Sequence, residues 1–215
     1  NNIGLPCGYE ILDTITPQYI CDLISWGAIG ARTAESQVHR QIVSGLSMPV
    51  GFKNSTNGNV DVAISGVKSS QYKHCFMGIT DNGEPTICNT LGNNNCHIIL
   101  RGSNKRPNYY PEDIIDVSNK IIDNNLNTRI MVDCSHGNSN KNYKNQSTVL
   151  HNIESQITQG NKHIMGVMLE SNLYEGSQTL TKNNYDALAK GVSITDSCIG
   201  FKETINIIME FYNSL

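Results

Sequence analysis

Charged side chains stand where the apolar, strand-like runs of this sequence end. Arg32, Lys53 and Arg101 close three such runs, His136 follows a fourth, and Glu170 closes a fifth. Runs rich in valine, isoleucine and leucine are typical of parallel strands that are buried on both faces. In a (β/α) barrel, the carboxyl ends of such strands form the rim where active sites are built. The pattern therefore predicts a site that combines anion binding with metal binding.

The three cations among these residues suit a small phosphorylated substrate. Arginine binds phosphate and carboxylate through two parallel hydrogen bonds, whereas lysine supplies a mobile point charge. A single cation at the end of a strand is more often a surface charge that pairs with an acid. Three of them at one rim favour a bound dianion or trianion, so we assign Arg32, Lys53 and Arg101 to an anion-binding site.

A histidine and two acids are the candidate metal ligands: His136, Glu170 and Asp196. Imidazole together with carboxylates suits Mn, Fe, Zn or Co better than Ca. Spacing alone equally supports a loop hydrogen bond for His136, a surface charge for Glu170 and a helix cap for Asp196. Glu10, near the end of the first strand-like run, is suited to position a water or take a proton, although a salt bridge explains it equally well.

Composition narrows the class of protein. The chain has 215 residues, of which 38% are hydrophobic and 16% charged, so it suits one globular domain over residues 1–215. A formal net charge of -3 argues against nucleic acid as a partner, and no apolar stretch is long enough to cross a membrane. Seven cysteines without a Cys-x-x-Cys pair favour a reducing, cytoplasmic location over a disulfide framework.

The elements that position the candidate site alternate between strand and helix. A β-hairpin over residues 74–90, with a turn at Asp81-Asn-Gly83, interrupts this alternation. A closed barrel needs eight strands and typically about 250 residues. We therefore predict an α/β fold, a TIM (β/α)8 barrel represented by its last six βα units plus the inserted hairpin. The predicted core strands are 7–12, 26–32, 49–53, 97–101, 129–133 and 164–170.

Six long motifs, in order along the whole chain, resemble one known family. The first, Gly27–Arg40, reads GAIGARTAESQVHR and closely resembles a signature of the type I 3-deoxy-D-arabino-heptulosonate 7-phosphate (DAHP) synthases, the microbial and fungal class. The other motifs are PVGFKN (49–54), HIILRG (97–102), MVDCSHGNSNK (131–141), GVMLES (166–171) and SITDSCI (193–199).

The resemblance implies an enzyme of the shikimate pathway. Such a synthase condenses phosphoenolpyruvate with D-erythrose 4-phosphate. By motif, Arg32, Lys53 and Arg101, together with Ala31, would hold phosphoenolpyruvate. Glu10 would help to place the attacking water, and His136, Glu170 and Asp196 would bind a divalent metal (Mn, Fe, Co or Zn). The expected catalytic residues are thus Lys53, Glu10 and His136.

Two features of the family are missing from this sequence. The family completes its metal site with a cysteine from the first barrel strand, and it uses a Lys-Pro-Arg-Thr motif after the second strand. Neither is present, and Cys134 does not occupy the position of the family's metal cysteine. We therefore expect this chain to have little or no activity by itself.

The hairpin matches an extra β element that forms part of a feedback site for an aromatic amino acid in the family. By resemblance, Gln18, Ser47, Phe76 and Gly78 would lie near that site. The 131–141 motif and Gly78 slightly favour tyrosine over phenylalanine as the effector, by resemblance to the tyrosine-sensitive relatives. The alternative is that the hairpin only covers the flank of the barrel. The intact protein is expected to be a homo-oligomer, either a dimer or a tetramer.

Two other functions stay open at this point. One is a related barrel synthase that joins phosphoenolpyruvate to arabinose 5-phosphate and makes 3-deoxy-octulosonate 8-phosphate, although the Gly27–Arg40 motif argues against it. The other is a non-catalytic module, used for effector binding or assembly, that retains the hairpin but has no catalytic activity.

Overall fold

The computed structural model describes residues 2–80, 82–182 and 184–215. Its contacts divide the chain into two compact units, one of residues 1–100 with 116–130 and the other of residues 101–115 with 131–215. The expectation of a single domain over residues 1–215 stays a prediction.

The first unit begins with alternating strands and helices and then runs through a hairpin. Its helices are α1 (Thr16–Ile20), α2 (Gln37–Val43) and α3 (Asp61–Ser70), and a 3-10 turn covers Cys21–Leu23. Its strands are β1 (Gly8–Glu10), β2 (Trp26–Ile29), β3 (Val50–Lys53), β4 (Cys75–Ile79), β5 (Pro85–Asn89) and β6 (Cys96–Leu100).

Four of these strands form a parallel sheet in the order β1-β2-β3-β6. The register sets Gly27 opposite Val50 and Gly51 opposite His97. All residues of β3 and β6 are buried, which explains why both read as continuous apolar runs in the sequence. The core of this unit is built from their side chains, such as Phe52, and from the apolar face of α3.

The inserted hairpin is confirmed. Strands β4 and β5 pair antiparallel, with Phe76 opposite Cys88 and Gly78 opposite Thr86. The Thr80 N–H donates to the Glu84 carbonyl at 2.9 Å and closes the loop between them. Asp81, part of the predicted turn, lies outside the described residues.

The second unit continues the alternation of strands and helices. Two of the boundaries between the units fall inside secondary-structure elements. One lies within helix α4 (Pro111–Asp123), and the other lies within strand β7 (Ile130–Asp133). The remaining elements are α5 (Gln146–Thr158), β8 (Ile164–Met168), β9 (Ser171–Asn172), β10 (Ile199–Gly200) and α6 (Phe201–Ser214), with 3-10 turns at Tyr143–Asn145 and Tyr185–Ala187. Strands β7 and β8 are neighbours, and β9 pairs with β10 in parallel. The short strands β9 and β10 were not predicted from the sequence.

Most strands are shorter than predicted, and three candidate residues lie outside the strands to which they were assigned. Strand β6 is shifted by one residue and ends at Leu100, so Arg101 directly follows it. Strand β2 ends at Ile29 because the Gly30 carbonyl accepts hydrogen bonds from the Thr33 and Ala34 N–H groups and starts a turn. Arg32 therefore lies in this turn. Strand β8 ends at Met168, two residues before Glu170.

A side chain that precedes α1 caps this helix. The Asp13 carboxylate accepts hydrogen bonds from the Ile15 and Thr16 N–H groups at 2.8 and 2.7 Å. These two N–H groups lie at the start of the helix, where they would otherwise lack partners within it.

A buried histidine links two strands of the first unit. The Trp26 indole N–H donates to Nε2 of His97 at 3.2 Å, which leaves the proton of the neutral ring on Nδ1. Burial lowers the pKa of His97 from 6.5 to about 4. The ring is therefore neutral in the folded protein at pH 7.

This pKa difference predicts a pH-dependent stability. Between about pH 6.5 and pH 4 the unfolded chain binds the proton and the folded chain does not, so stability is full above pH 6.5 and falls by up to about 3 kcal/mol through this window. Glutamine at position 97 can still accept the indole N–H but does not titrate. We expect His97→Gln to flatten that part of the curve in urea unfolding at pH 7.5, 5.5 and 4.5. The exposed His163→Gln is the control, and an equal acid loss in wild type and His97→Gln would contradict the assignment.

No helix among the described residues has the length and apolar character needed to cross a membrane.

Candidate metal centre and substrate site

Three candidate ligands converge in the second unit. His136 follows β7, Glu170 follows β8, and Asp196 precedes β10. Nε2 of His136 lies 3.4 Å from Oε1 of Glu170 and 3.7 Å from Oδ2 of Asp196. One ligand atom from each residue lies within 4.8 Å of the other two. Such spacing suits one ion held by ligands at about 2.0–2.2 Å.

Asp133 fixes the orientation of the histidine. Its carboxylate Oδ2 lies 2.8 Å from Nδ1 of His136, and Asp133 itself is fully buried. The Ser135 hydroxyl is also a hydrogen-bond partner of this nitrogen, at 3.1 Å. Neighbours of this kind commonly fix the ring orientation of a histidine that binds a metal. The His136 backbone has φ +48°, a left-handed conformation that is uncommon for a residue with a side chain. Nε2 is thereby directed toward Glu170 and Asp196.

The charges around this cluster favour a cation. Burial raises the pKa of Glu170, and the Asp133 and Asp196 carboxylates raise it further. The Ser135 hydroxyl, which donates to Glu170, and the His136 ring act in the opposite direction. Three carboxylates thus surround one imidazole. A divalent metal would compensate this excess of negative charge, so the donor set fits Mn, Fe, Co or Zn.

The backbone of Arg101 is hydrogen-bonded to the loop that carries His136. The Gly137 N–H donates to the Arg101 carbonyl at 3.0 Å. A Cβ built on Gly102, whose φ is +73°, would lie 2.5 Å from backbone atoms of Gly137 and Asn138. Only glycine permits this close approach. The buried Arg101 and the loop that carries His136 therefore hold each other in place.

In the first unit, the predicted substrate residues occupy two strand ends and a turn. Glu10 is the last residue of β1, and its carboxylate lies directly against Gly30 at the start of the turn that carries Ala31 and Arg32. The structure thus brings Glu10 close to this turn. Lys53 is the last residue of β3 and is only 7% exposed. A lysine is rarely buried to this extent without a partner or a function.

Two of the predicted effector residues are in contact. The Gln18 carboxamide oxygen accepts the Ile79 N–H at 2.9 Å, and a Cβ built on Gly78 would lie 2.7 Å from the same oxygen. Phe76 is half-buried on the same strand. Ser47 is exposed in the loop between α2 and β3. Gln18 therefore connects α1 to the hairpin.

The sequence analysis did not identify three residues that contact the candidate ligands: Asp133, Ser135 and Gln146. Asp133 and Ser135 lie at the end of the β7 run, close to His136. Polar residues in this position could have been recognised as neighbours of the candidate ligand. The Gln146 carboxamide forms hydrogen bonds with both the backbone N–H and the backbone C=O of Glu170. No pattern in the sequence pointed to it.

Cys134 is not a ligand in this arrangement. Its thiol is fully buried, and its sulfur lies 3.9 Å from the Val132 carbonyl oxygen. Burial raises the pKa of this thiol, which disfavours the thiolate that binds metals. Within the described part of the chain, the metal-capable group consists of His136, Glu170 and Asp196.

The parallel strands alternate with helices and carry polar residues at their carboxyl ends. These features are typical of α/β proteins, and among them of the (β/α) barrels. The chain belongs to the DAHP synthetase I family, which it matches over residues 1–208. The family resemblance predicted from the motifs is thereby confirmed.

Curated relatives are similar over nearly the whole chain. The Phe-sensitive phospho-2-dehydro-3-deoxyheptonate aldolase of Escherichia coli K12 is 48% identical over 215 residues, covering 100% of this chain and 61% of the relative. The Tyr-sensitive E. coli enzyme is 45% identical and covers 100% of this chain and 60% of the relative. The tyrosine-inhibited enzyme of Candida albicans is 48% identical, and the match covers 96% of this chain and 56% of the relative.

A solved structure agrees with the fold. The phospho-2-dehydro-3-deoxyheptonate aldolase from Francisella tularensis SCHU S4 has a TM-score of 0.93 and 48% identity, and the match covers 99% of this chain and 61% of that one. The predicted fold class, a partial (β/α)8 barrel with an inserted hairpin, is thereby confirmed. The chain spans about three fifths of the length of the relatives it matches.

Proposed function

We propose that this chain carries the metal centre and the phosphoenolpyruvate-binding residues of a DAHP synthase. The reaction condenses phosphoenolpyruvate with D-erythrose 4-phosphate and water to give 3-deoxy-D-arabino-heptulosonate 7-phosphate and phosphate. The observation that carries the proposal is the convergence of His136, Glu170 and Asp196 from three separate loops. Family membership and the names of the relatives support it.

The chain's own residues would perform binding and orientation. His136, Glu170 and Asp196 would hold a divalent ion (Mn, Fe, Co or Zn), and when bound this ion supplies Lewis-acid polarisation of the aldehyde. Arginine and lysine would bind the phosphate and carboxylate of phosphoenolpyruvate and stabilise charge that develops during the reaction. The residues proposed for this role are Arg32, Lys53 and Arg101, with Ala31 beside Arg32.

The carbon–carbon bond forms between the methylene carbon of phosphoenolpyruvate and the aldehyde carbon of the sugar phosphate. Positive character then develops at C2 of phosphoenolpyruvate, where water adds. Glu10 and Lys53 would position this water, with the Glu10 carboxylate accepting its proton. The aldehyde oxygen takes up a proton and becomes a hydroxyl group, which balances the proton that the water releases. The bond between C2 of the resulting phosphohemiketal and the phosphate oxygen then breaks, the C2 hydroxyl becomes the ketone, and inorganic phosphate leaves with the hydroxyl proton.

Binding and turnover of this chain test the proposal. We expect Mn²⁺ and Co²⁺ to bind, and phosphoenolpyruvate to bind more tightly in the presence of metal. The rate of phosphate release with both substrates should be far below that of a full-length relative, because the metal cysteine and the Lys-Pro-Arg-Thr motif are absent from this sequence. Failure to bind any divalent metal would refute the proposed site, whereas turnover at the rate of the relative would refute only the expected inactivity.

The choice of sugar phosphate separates two related enzymes. Family membership favours erythrose 4-phosphate over arabinose 5-phosphate as the partner of phosphoenolpyruvate. Calorimetric binding of the two sugar phosphates to this chain, in the presence of phosphoenolpyruvate, tests this choice. Selective use of arabinose 5-phosphate would contradict it.

We also propose that the hairpin helps to bind an aromatic amino acid. Relatives that are Phe-sensitive and Tyr-sensitive match the chain at 48% and 45% identity, so the similarity favours neither amino acid. The contact between Gln18 and the Gly78–Ile79 backbone connects the hairpin to α1. Binding of tyrosine or phenylalanine without any binding of metal or phosphoenolpyruvate would favour the non-catalytic module instead.

A substitution at Gly78 tests the effector site. The new Cβ of Gly78→Ala would overlap the Cys88 sulfur and lie 2.7 Å from the Gln18 oxygen, so we expect Gln18 to move. Affinity for tyrosine or phenylalanine, measured by calorimetry, should fall by about 10-fold, while metal affinity stays unchanged. Ile87→Ala, on the exposed face of the same hairpin, is the control. Equal effector affinity in wild type and Gly78→Ala would contradict the assignment.

A homo-oligomer, dimer or tetramer, and a cytoplasmic location complete the proposal. Light scattering coupled to gel filtration of the natural protein tests the first, and a monomer would contradict it.

A further inference from the structure

We propose that Gln146 is a positioning residue for the metal centre, which fixes the backbone of Glu170 and thereby the direction of its carboxylate. This inference rests on the proposed metal site. Gln146 is the first residue of α5 and is fully buried. A buried carboxamide needs hydrogen-bond partners, and here both partners belong to a single residue.

The contact has two points. The Glu170 N–H donates to Oε1 of Gln146 at 2.8 Å, and Nε2 of Gln146 donates to the Glu170 carbonyl at 3.0 Å. A primary carboxamide is planar and presents one acceptor beside one donor group, so it can pair with the N–H and the C=O of one residue. Two such bonds hold the Glu170 backbone in one orientation. Strand β8 has already ended at Met168, so its ladder does not do this.

The segments that carry the three ligands meet at this contact. The Glu170 carbonyl also accepts the Ile199 N–H at 3.0 Å, and Ile199 lies three residues beyond Asp196. Gln146 itself follows the loop that begins at His136. Because the Glu170 carboxylate must reach a shared ion together with His136 and Asp196, a small rotation of its backbone would move it out of range.

A second glutamine of the same helix makes a matched control. Gln156 is also buried, and its Nε2 donates to the Tyr109 carbonyl at 2.8 Å and to Oδ1 of Asn152 at 2.8 Å. It lies about 15 Å farther along the helix, at 1.5 Å per residue. Replacing Gln156 removes comparable buried hydrogen bonds without affecting the backbone of a proposed metal ligand.

The test compares Gln146→Met with Gln156→Met, since methionine keeps the approximate length of the side chain and removes the carboxamide. Binding of Co²⁺, followed by its visible absorption, and of Mn²⁺, followed by electron paramagnetic resonance, is measured on the full chain at one pH. We expect the dissociation constant to rise by about 10–100-fold in Gln146→Met and by less than about twofold in Gln156→Met. The Co²⁺ band shape should change only in Gln146→Met. Both variants should lose thermal stability without metal.

Amide hydrogen exchange of the metal-free chain gives a readout that does not depend on metal. Exchange at the Glu170 amide should be faster in Gln146→Met than in wild type, and unchanged in Gln156→Met. If wild type binds metal and Gln146→Met binds it equally well, or if both variants weaken it equally, the positioning role is wrong. If wild type binds no metal, the proposed metal site is wrong and this role with it. Unchanged exchange at Glu170 would show separately that the contact itself does not hold.

Discussion

Replacing His136 with alanine is expected to weaken the binding of Mn²⁺ or Co²⁺ by more than about 100-fold. Loss of a residue that only orients a ligand commonly costs 10–100-fold in metal affinity, so loss of a ligand should cost more. Nε2 of His136 lies within 3.7 Å of carboxylate oxygens of both Glu170 and Asp196, and removing it leaves only the acidic pair. Titration of the metal-free chain with Co²⁺ measures the change.

His151→Ala is the matched control for this experiment. His151 belongs to α5 of the same unit, but its side chain is exposed and lies near Glu210. We expect this variant to bind metal as wild type does and to unfold at nearly the same temperature. Unchanged metal affinity in His136→Ala, with Co²⁺ still bound at one site, would place the metal elsewhere and remove the main support for the proposed function.

Replacing Gly51 with alanine is expected to destabilise the first unit strongly. A Cβ built on Gly51 would overlap the tip of the Ile99 side chain and would lie 2.7 Å from Ile99 Cγ1 and 2.8 Å from His97 Nε2. Both neighbours are buried, so they have little room to move away. Overpacking of this kind costs about 1–3 kcal/mol, which urea unfolding monitored by circular dichroism would measure.

A second strand glycine gives the control for this prediction. Gly166 lies in β8, and the nearest atom to a Cβ built there is the Met131 Cε at 3.8 Å, an ordinary contact. Both substitutions also reduce the entropy of the unfolded chain, which stabilises the fold slightly. We therefore expect Gly166→Ala to stay within about 0.5 kcal/mol of wild type. Equal stability of Gly51→Ala and wild type would contradict the packing argument.

Most of the strands could be predicted from the sequence because their apolar runs are local features, whereas the metal-binding role of His136, Glu170 and Asp196 stays a prediction. Strands β3 and β6 are buried on both faces, so their residues are almost all apolar and their ends are visible in the sequence. The exact limits could not be predicted. Strand β2 ends at Ile29 because the Gly30 carbonyl begins a turn, and this hydrogen bond leaves no clear trace in an apolar run that continues to Ala31.

Gln146 shows what the sequence could not reveal. Glutamine at the start of a helix is ordinary, and its contact with Glu170 spans 24 residues. Its partners are backbone atoms, which every residue has, so no complementary residue type marks the pair. The same holds for Gly51, whose need for a small residue depends on two side chains of a neighbouring strand.

The sequence alone determined the family, the alternation of strands and helices, and the residue types available for anion and metal binding, because motifs and periodicity lie along the chain. Only the tertiary structure decided that His136, Glu170 and Asp196 share one location, that Asp133 orients the histidine, and that Gln146 holds Glu170. These are distances between residues far apart in the sequence. Such distances are set by the packing of the strands and helices that carry them.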